Sequence, residues 1–378
     1  MKIIIAPDSF KESLTALEVA NAIEQGFKHV FPYAEFCKVP MADGGEGSVQ
    51  SLVDATNGSL VEVEVTAPLG NKTTAFFGLS GDKQTAFIEM AAASGLHLVP
   101  FEQRNPLITT TFGTGELIKA ALDCGVKKII LGIGGSATND GGVGMLQAVG
   151  FSFKNAKGEE IGFGGGALNQ IDTISLEKRD PRLTQVEFEV ACDVDNPLCG
   201  ERGAAAVFAP QKGATASMVT LLDNALAHFA NIVRQKLDIE IADKAGSGAA
   251  GGMGAGLLLL PKVQLKAGVQ IIIEATNLAE KIQNADLVIT GEGRMDAQSI
   301  AGKTPIGVAK LAKQFGKPVI AIVGCLRDDY PVVYQHGIDA VFPIIKQLGS
   351  LEETLQSGKE NLCSCAENVA RLLALKLA

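Results

Sequence analysis

The strongest constraint on this chain is a repeated order of elements. Short runs of β-branched and aliphatic residues each lead through a glycine-rich loop into a stretch with helical spacing. That order marks a parallel sheet wrapped by helices, because strands buried on both faces read as continuous apolar runs. About six such strands stand out, at 2–6, 36–41, 128–133, 287–290, 319–323 and 340–344. After the first, Thr15-Ala16-Leu17-Glu18 forms a capping box, and Ala16, Val19, Ala20, Ile23 and Phe27 recur at helical spacing. A helix is expected over about 16–29. Another, over about 115–124, should stop at Gly125, where glycine suits the left-handed position after a helix end.

The texture changes between these units. Residues 59–88 alternate as antiparallel strands do, and 151–276 mixes short strands with glycine clusters. A chain of 378 residues is long for one core, so two domains are expected. The expected fold class is α/β: a Rossmann-like or flavodoxin-like parallel-sheet domain (1–60, 106–150 and 280–378) with a second α/β domain inserted into it (61–105 and 151–279). The glycine clusters at 162–166 and 248–256 serve either as hinges or as points of close backbone packing.

Composition then removes whole classes of function. The net charge is −9 and no Lys/Arg-rich run occurs, which argues against nucleic acid or an anionic membrane as partner. Seven cysteines without a CxxC pair suggest neither a disulfide framework nor zinc, and the four dispersed histidines lack ligand spacing. The apolar start is too brief for a signal peptide, and no run approaches the ~18 apolar residues of a membrane span. A cytoplasmic protein is expected. No GxSxG elbow is present and no GxGxxG follows the first strand, which weakens serine-hydrolase and dinucleotide-dehydrogenase readings.

Ligands of open parallel sheets gather beyond the carboxyl ends of the strands, so the loops there carry the functional reading. The first holds Asp8, Ser9, Lys11 and Ser13 ahead of a capped helix, a set that suits an anion, although a solvated loop has the same composition. In the second, Asp43 and Glu46 stand among three glycines and could bind a hard cation through oxygen. The third runs from Gly134 and Gly135 through Ser136, Thr138, Asn139 and Asp140 to Gly144, with amides and hydroxyls able to cradle a phosphate. The fourth contains Glu292, Arg294 and Asp296, followed by Gly302-Lys303-Thr304-Pro305 at a helix start. It is not a Walker A loop, since the spacing places Ala297 where glycine is required. Arg294 and Lys303 can still neutralise a transferring phosphoryl group. Between these loops, Asp193 and Asp195 follow an apolar strand at i, i+2, offering a proton acceptor and a metal ligand. Lys212, in Phe208-Ala209-Pro210-Gln211-Lys212-Gly213, adds a cation near a turn.

Taken together, IIAPDSFKESLTA at 4–16, PMADGGEG at 40–47, GIGGSATNDGG at 132–142, ACDVDNPL at 191–198, FAPQKGA at 208–214 and ITGEGRMD at 289–296 resemble the type 1 bacterial glycerate kinase family over essentially the full length. The resemblance implies ATP-dependent phosphorylation of D-glycerate in organic-acid catabolism, Mg²⁺ dependence, and two α/β domains with the site in the cleft between them. Within it, Asp193 would activate the hydroxyl and Lys11 and Arg294 would hold carboxylate or phosphate charge. Asp8, Ser9, Gly134, Gly135, Ser136, Thr138, Asn139 and Lys303 would bind substrate or phosphate, and Asp43, Glu46 or Asp296 would supply oxygen to the metal. It leans toward 2-phosphoglycerate, with 3-phosphoglycerate open. A non-catalytic organic-acid binding protein and a Mg²⁺-dependent phosphohydrolase or mutase remain as alternatives. A homo-oligomer is as compatible with the sequence as a monomer.

Overall fold

The structure is a computed structural model that describes residues 1–42, 44–45, 47–300 and 302–375. It divides into two compact units, one of Met1–Asp43, Gln50–Asn57 and Ala267–Ala378, the other of Gly44–Val49 and Gly58–Lys266.

The first unit is built on a five-stranded sheet in the order Ala340–Pro343, Val319–Val323, Leu287–Thr290, Lys2–Ile5, Glu35–Lys38, parallel throughout. Ile3, Ile4, Ile5 and the whole Val319–Val323 strand are buried, which is why these strands read as unbroken apolar runs instead of alternating. The helix Ala16–Lys28 begins at Thr15, whose side chain and that of Glu18 form the expected capping box. Its buried stripe of Val19, Ala20, Ile23 and Phe27 covers the sheet. The helix Gly358–Leu373 packs beside it so closely that a Cβ on Gly26 would lie 2.3 Å from the Cys363 carbonyl oxygen. Numbered along the chain, these strands lie in the order 2-1-3-4-5. The direction of winding therefore reverses between Lys2–Ile5 and Leu287–Thr290, and ligand sites of such sheets form at that reversal.

The second unit has a six-stranded sheet in the order Val263–Lys266, Glu187–Ala191, Lys128–Gly132, Thr85–Glu89, Lys72–Leu79, Ser59–Thr66. The first four are parallel and the last two antiparallel, as the alternation of 59–88 anticipates. The helix Phe112–Asp123 ends two residues before Gly125, which has φ +77°. Residues 106–150 differ from the sequence-based grouping. Lys128–Gly132 pairs with Thr85–Glu89 and Glu187–Ala191, so this segment belongs to the second unit and not with the first strand. A strand's sheet is set by its partners, and its own periodicity says nothing about them.

Most glycines of the two clusters serve close packing within this unit. A Cβ on Gly164 would lie 2.2 Å from the Leu107 carbonyl oxygen. One on Gly251, where φ is +69°, would lie 2.0 Å from the Thr138 carbonyl oxygen.

Candidate active site

In the first unit, the two loops at the reversal of winding run side by side. Hydrogen bonding continues past the strand ends, with the Ala6 N–H donating to the Ile289 carbonyl at 2.8 Å and the Asp8 N–H to the Gly291 carbonyl at 2.9 Å. An added Cβ on Gly293 would sit 3.4 Å from the Lys11 backbone nitrogen, in ordinary contact with the neighbouring loop. Asp8 is held by donors, accepting from the Ser9 N–H at 2.7 Å and from Thr304 Oγ1 at 2.8 Å. Thr304 opens the helix Thr304–Gln314, capped at Lys303 and carrying Pro305 in its first turn, so the helix start expected from sequence is present.

Two carboxylates lie beneath this surface. Glu292 is buried, accepts from Ser299 Oγ at 2.5 Å, and faces Lys303 Nζ at 3.5 Å. Burial pushes its carboxyl up, and Asp296 adds to that push, while Ser299 and Lys303 act in the opposite sense. Asp296 is also buried, accepts from the Gln298 N–H at 2.9 Å, and lies 3.2 Å from Arg294 Nε. The cations over them are more open. Arg294 is half exposed, Lys303 is a third exposed, and Lys11 is exposed. Three cations reaching solvent from around two buried acids can receive an anion.

In the second unit, two neighbouring parallel strands end together. After Lys128–Gly132 comes the loop with Gly134, Gly135 (φ +72°), Ser136, Thr138 and Asn139. Asp140 organises its far end from a fully buried position, accepting from the Thr111 N–H (2.8 Å), Thr111 Oγ1 (2.9 Å), the Gly142 N–H (3.1 Å) and the Gly144 N–H (3.3 Å). Desolvation pushes that carboxyl up despite these donors. The helix that follows, Val143–Ala148, is one short turn and a half. The loop's binding capacity therefore rests on its own groups. Asn139, at 0% exposure, has neither amide atom paired, and Thr138 Oγ1 is likewise buried without a partner. Each such group costs about 1–3 kcal/mol unless something meets it.

After Glu187–Ala191 comes Asp193, which is exposed. Asp195, also exposed, is engaged by Arg202 at 2.7 Å. The glycine segment beyond Gly246 joins this loop to the previous one. The Gly248 N–H donates to the Asn196 carbonyl, and Gly251 packs on Thr138 and Asn139. Ser247, buried and with its hydroxyl unpaired, lies in that segment. Nothing in a run of glycine and alanine marks it beforehand. Lys212 is the other surprise: the sequence places it near a turn, whereas the structure buries it against Ser136 and Thr138.

The metal candidates Asp43 and Glu46 lie outside the described residues. Among the described residues, no three His, Cys, Asp or Glu side chains gather as a cation site. Asp296 offers hard carboxylate oxygen, the chemistry Mg²⁺ prefers, and Mg²⁺ commonly takes only one or two carboxylates beside water and phosphate oxygens. No helix of the described residues is long and apolar enough to cross a membrane.

Comparison with known proteins adds a further observation. Residues 3–374 match the model of the glycerate kinase family. The chain is 68% identical to a glycerate kinase of Haemophilus influenzae, covering 100% of both chains. It is 55% identical to the glycerate 2-kinase of Escherichia coli, covering 99% of this chain and 98% of that one. A crystal structure from Salmonella typhimurium, provisionally named glycerate kinase 2, superposes with a TM-score of 0.92 at 54% identity, covering 99% of this chain and 98% of that one.

Proposed function

This chain belongs to the glycerate kinase family, and we propose that it transfers the γ-phosphoryl group of ATP to D-glycerate to form 2-phosphoglycerate. The end-to-end match to a glycerate 2-kinase carries the reaction, and the geometry is compatible with the side-chain roles proposed below. Phosphoryl transfer asks a protein chiefly to position two reactants and to neutralise charge.

In our reading, Asp193 accepts the proton of the glycerate 2-hydroxyl as its oxygen bonds to the γ-phosphorus. The bond from that phosphorus to the bridging oxygen breaks, and ADP leaves with the electron pair. Lys11, Arg294 and Lys303 hold phosphate or carboxylate charge, and Asp8 keeps the Ser9 amide and the Thr304 hydroxyl in place beside them. Gly134, Gly135, Ser136, Thr138 and Asn139 receive an anionic group of one substrate through amides, hydroxyls and the unpaired Asn139 amide. Mg²⁺, held in part by Asp296, would neutralise the nucleotide phosphates when bound. We place the reaction in the cytoplasm.

Incubating the purified protein with D-glycerate, ATP and Mg²⁺ and recording the phosphorus NMR spectrum tests this directly. The 2-phosphoglycerate resonance is expected, with ADP release dependent on glycerate. A 3-phosphoglycerate resonance would overturn the position of transfer, and ADP release without glycerate would point to a hydrolase.

A further inference from the structure

Lys212 is 1% exposed, and its ammonium donates at 2.6 Å to both Ser136 Oγ and the Thr138 carbonyl. Removing a cation from water costs several kcal/mol, and two hydrogen bonds to neutral acceptors, at about 1.5–3 kcal/mol each, do little more than offset it. A carboxylate against the amine would redress the balance. Asp140 is the charged group whose field reaches Lys212, but its oxygens are taken up by Thr111, Gly142 and Gly144. Arg104, whose backbone carbonyl packs against neighbouring Gly213, turns its guanidinium onto the Phe101 ring. Folding by itself therefore gives this position little reason to hold a cation. The loop that Lys212 grips is also the one that carries the unpaired Thr138 hydroxyl and Asn139 amide.

We propose that Lys212 is a positioning residue of the reaction. It fixes the curvature of the 134–140 loop through Ser136 and Thr138 and lends positive charge to the anionic group that the loop receives, a nucleotide phosphate or the glycerate carboxylate. This rests on the reading of that loop given above. Desolvation already pushes the amine down to about 7. An anion on the loop favours the charged form, so ligand binding must raise the amine's titration midpoint, and by linkage the charged amine must tighten binding.

The test is a pH titration of the full-length protein labelled with ¹³C at lysine Cε, run free, with saturating D-glycerate, and with saturating ADP. One lysine resonance is expected to titrate near 7 in the free protein and to shift upward by about one unit or more with one of the two ligands, identifying which anion the loop takes. In Lys212→Met, the KM for the corresponding substrate is expected to rise by about tenfold or more, and Lys212→Arg is expected to recover part of the loss. A midpoint that neither ligand moves overturns the proposal even if both variants fail to fold. Asn139→Ala separates this failure from that of the underlying reading. If it weakens one substrate while the lysine midpoint stays still, only the role of Lys212 falls. If it leaves both KM values unchanged, the loop binds neither substrate and both readings fall.

Discussion

A side chain's chemistry at this site depends on what already engages it. Asp193 and Asp195 are two residues apart on the same loop and both are exposed, and Asp195 is paired with Arg202, so the base role proposed above goes to Asp193. Replacing Asp193 with Asn should therefore lower kcat by about 10²–10⁴ while leaving nucleotide affinity nearly unchanged, since an amide keeps the shape and loses the proton acceptor. Steady-state kinetics with a separate nucleotide-binding measurement check this, and near-normal turnover would remove Asp193 from the base role. The types of these residues were legible in the sequence, as were their positions just after strands. Their partners were not. Glu292 with Ser299 and Lys303, or Lys212 with Ser136 and Thr138, are pairings across 7 to 76 positions that no local pattern announces.

At the scale of elements, local signals served well where an element's ends are made locally. The capping box at Thr15 and the left-handed Gly125 both sit where sequence places them, because each needs only residues a turn away. The 248–256 glycine cluster left hinge and close packing undecided, since glycine satisfies both. The packing it makes is severe. Gly251 combines φ +69° with a backbone carbonyl 2.0 Å from any added Cβ. Gly251→Ala should thus cost well over the ~1 kcal/mol of a left-handed alanine alone, because the Thr138 backbone must move. A fall in Tm of several degrees is expected, together with a rise in KM, as the displaced carbonyl belongs to the loop that Lys212 grips. An unchanged melting curve and KM would show that the segment tolerates a side chain.

Across the whole molecule, the two units close their sheets in different ways. Every strand of the six-stranded sheet lies between Ser59 and Lys266, whereas the other sheet pairs Ile3 with Leu287. A fragment spanning 44–266 should accordingly fold alone and melt cooperatively by circular dichroism. A fragment ending at residue 266 that retains 1–43 should gain no further cooperative structure from that segment, because the Lys2–Ile5 strand then lacks its Leu287–Thr290 neighbour. A non-cooperative melt of the 44–266 fragment would contradict this division. By itself the sequence determined the strands of the five-stranded sheet, the capped first helix and the glycine-rich loops after the strands, since apolar periodicity, capping and turn preferences act over a few residues. Only the tertiary structure decided which sheet Lys128–Gly132 joins, that Arg202 pairs with Asp195, and that Lys212 is buried behind the glycine-rich loop. Those outcomes depend on contacts between distant segments, whose energies exist only once the chain has folded.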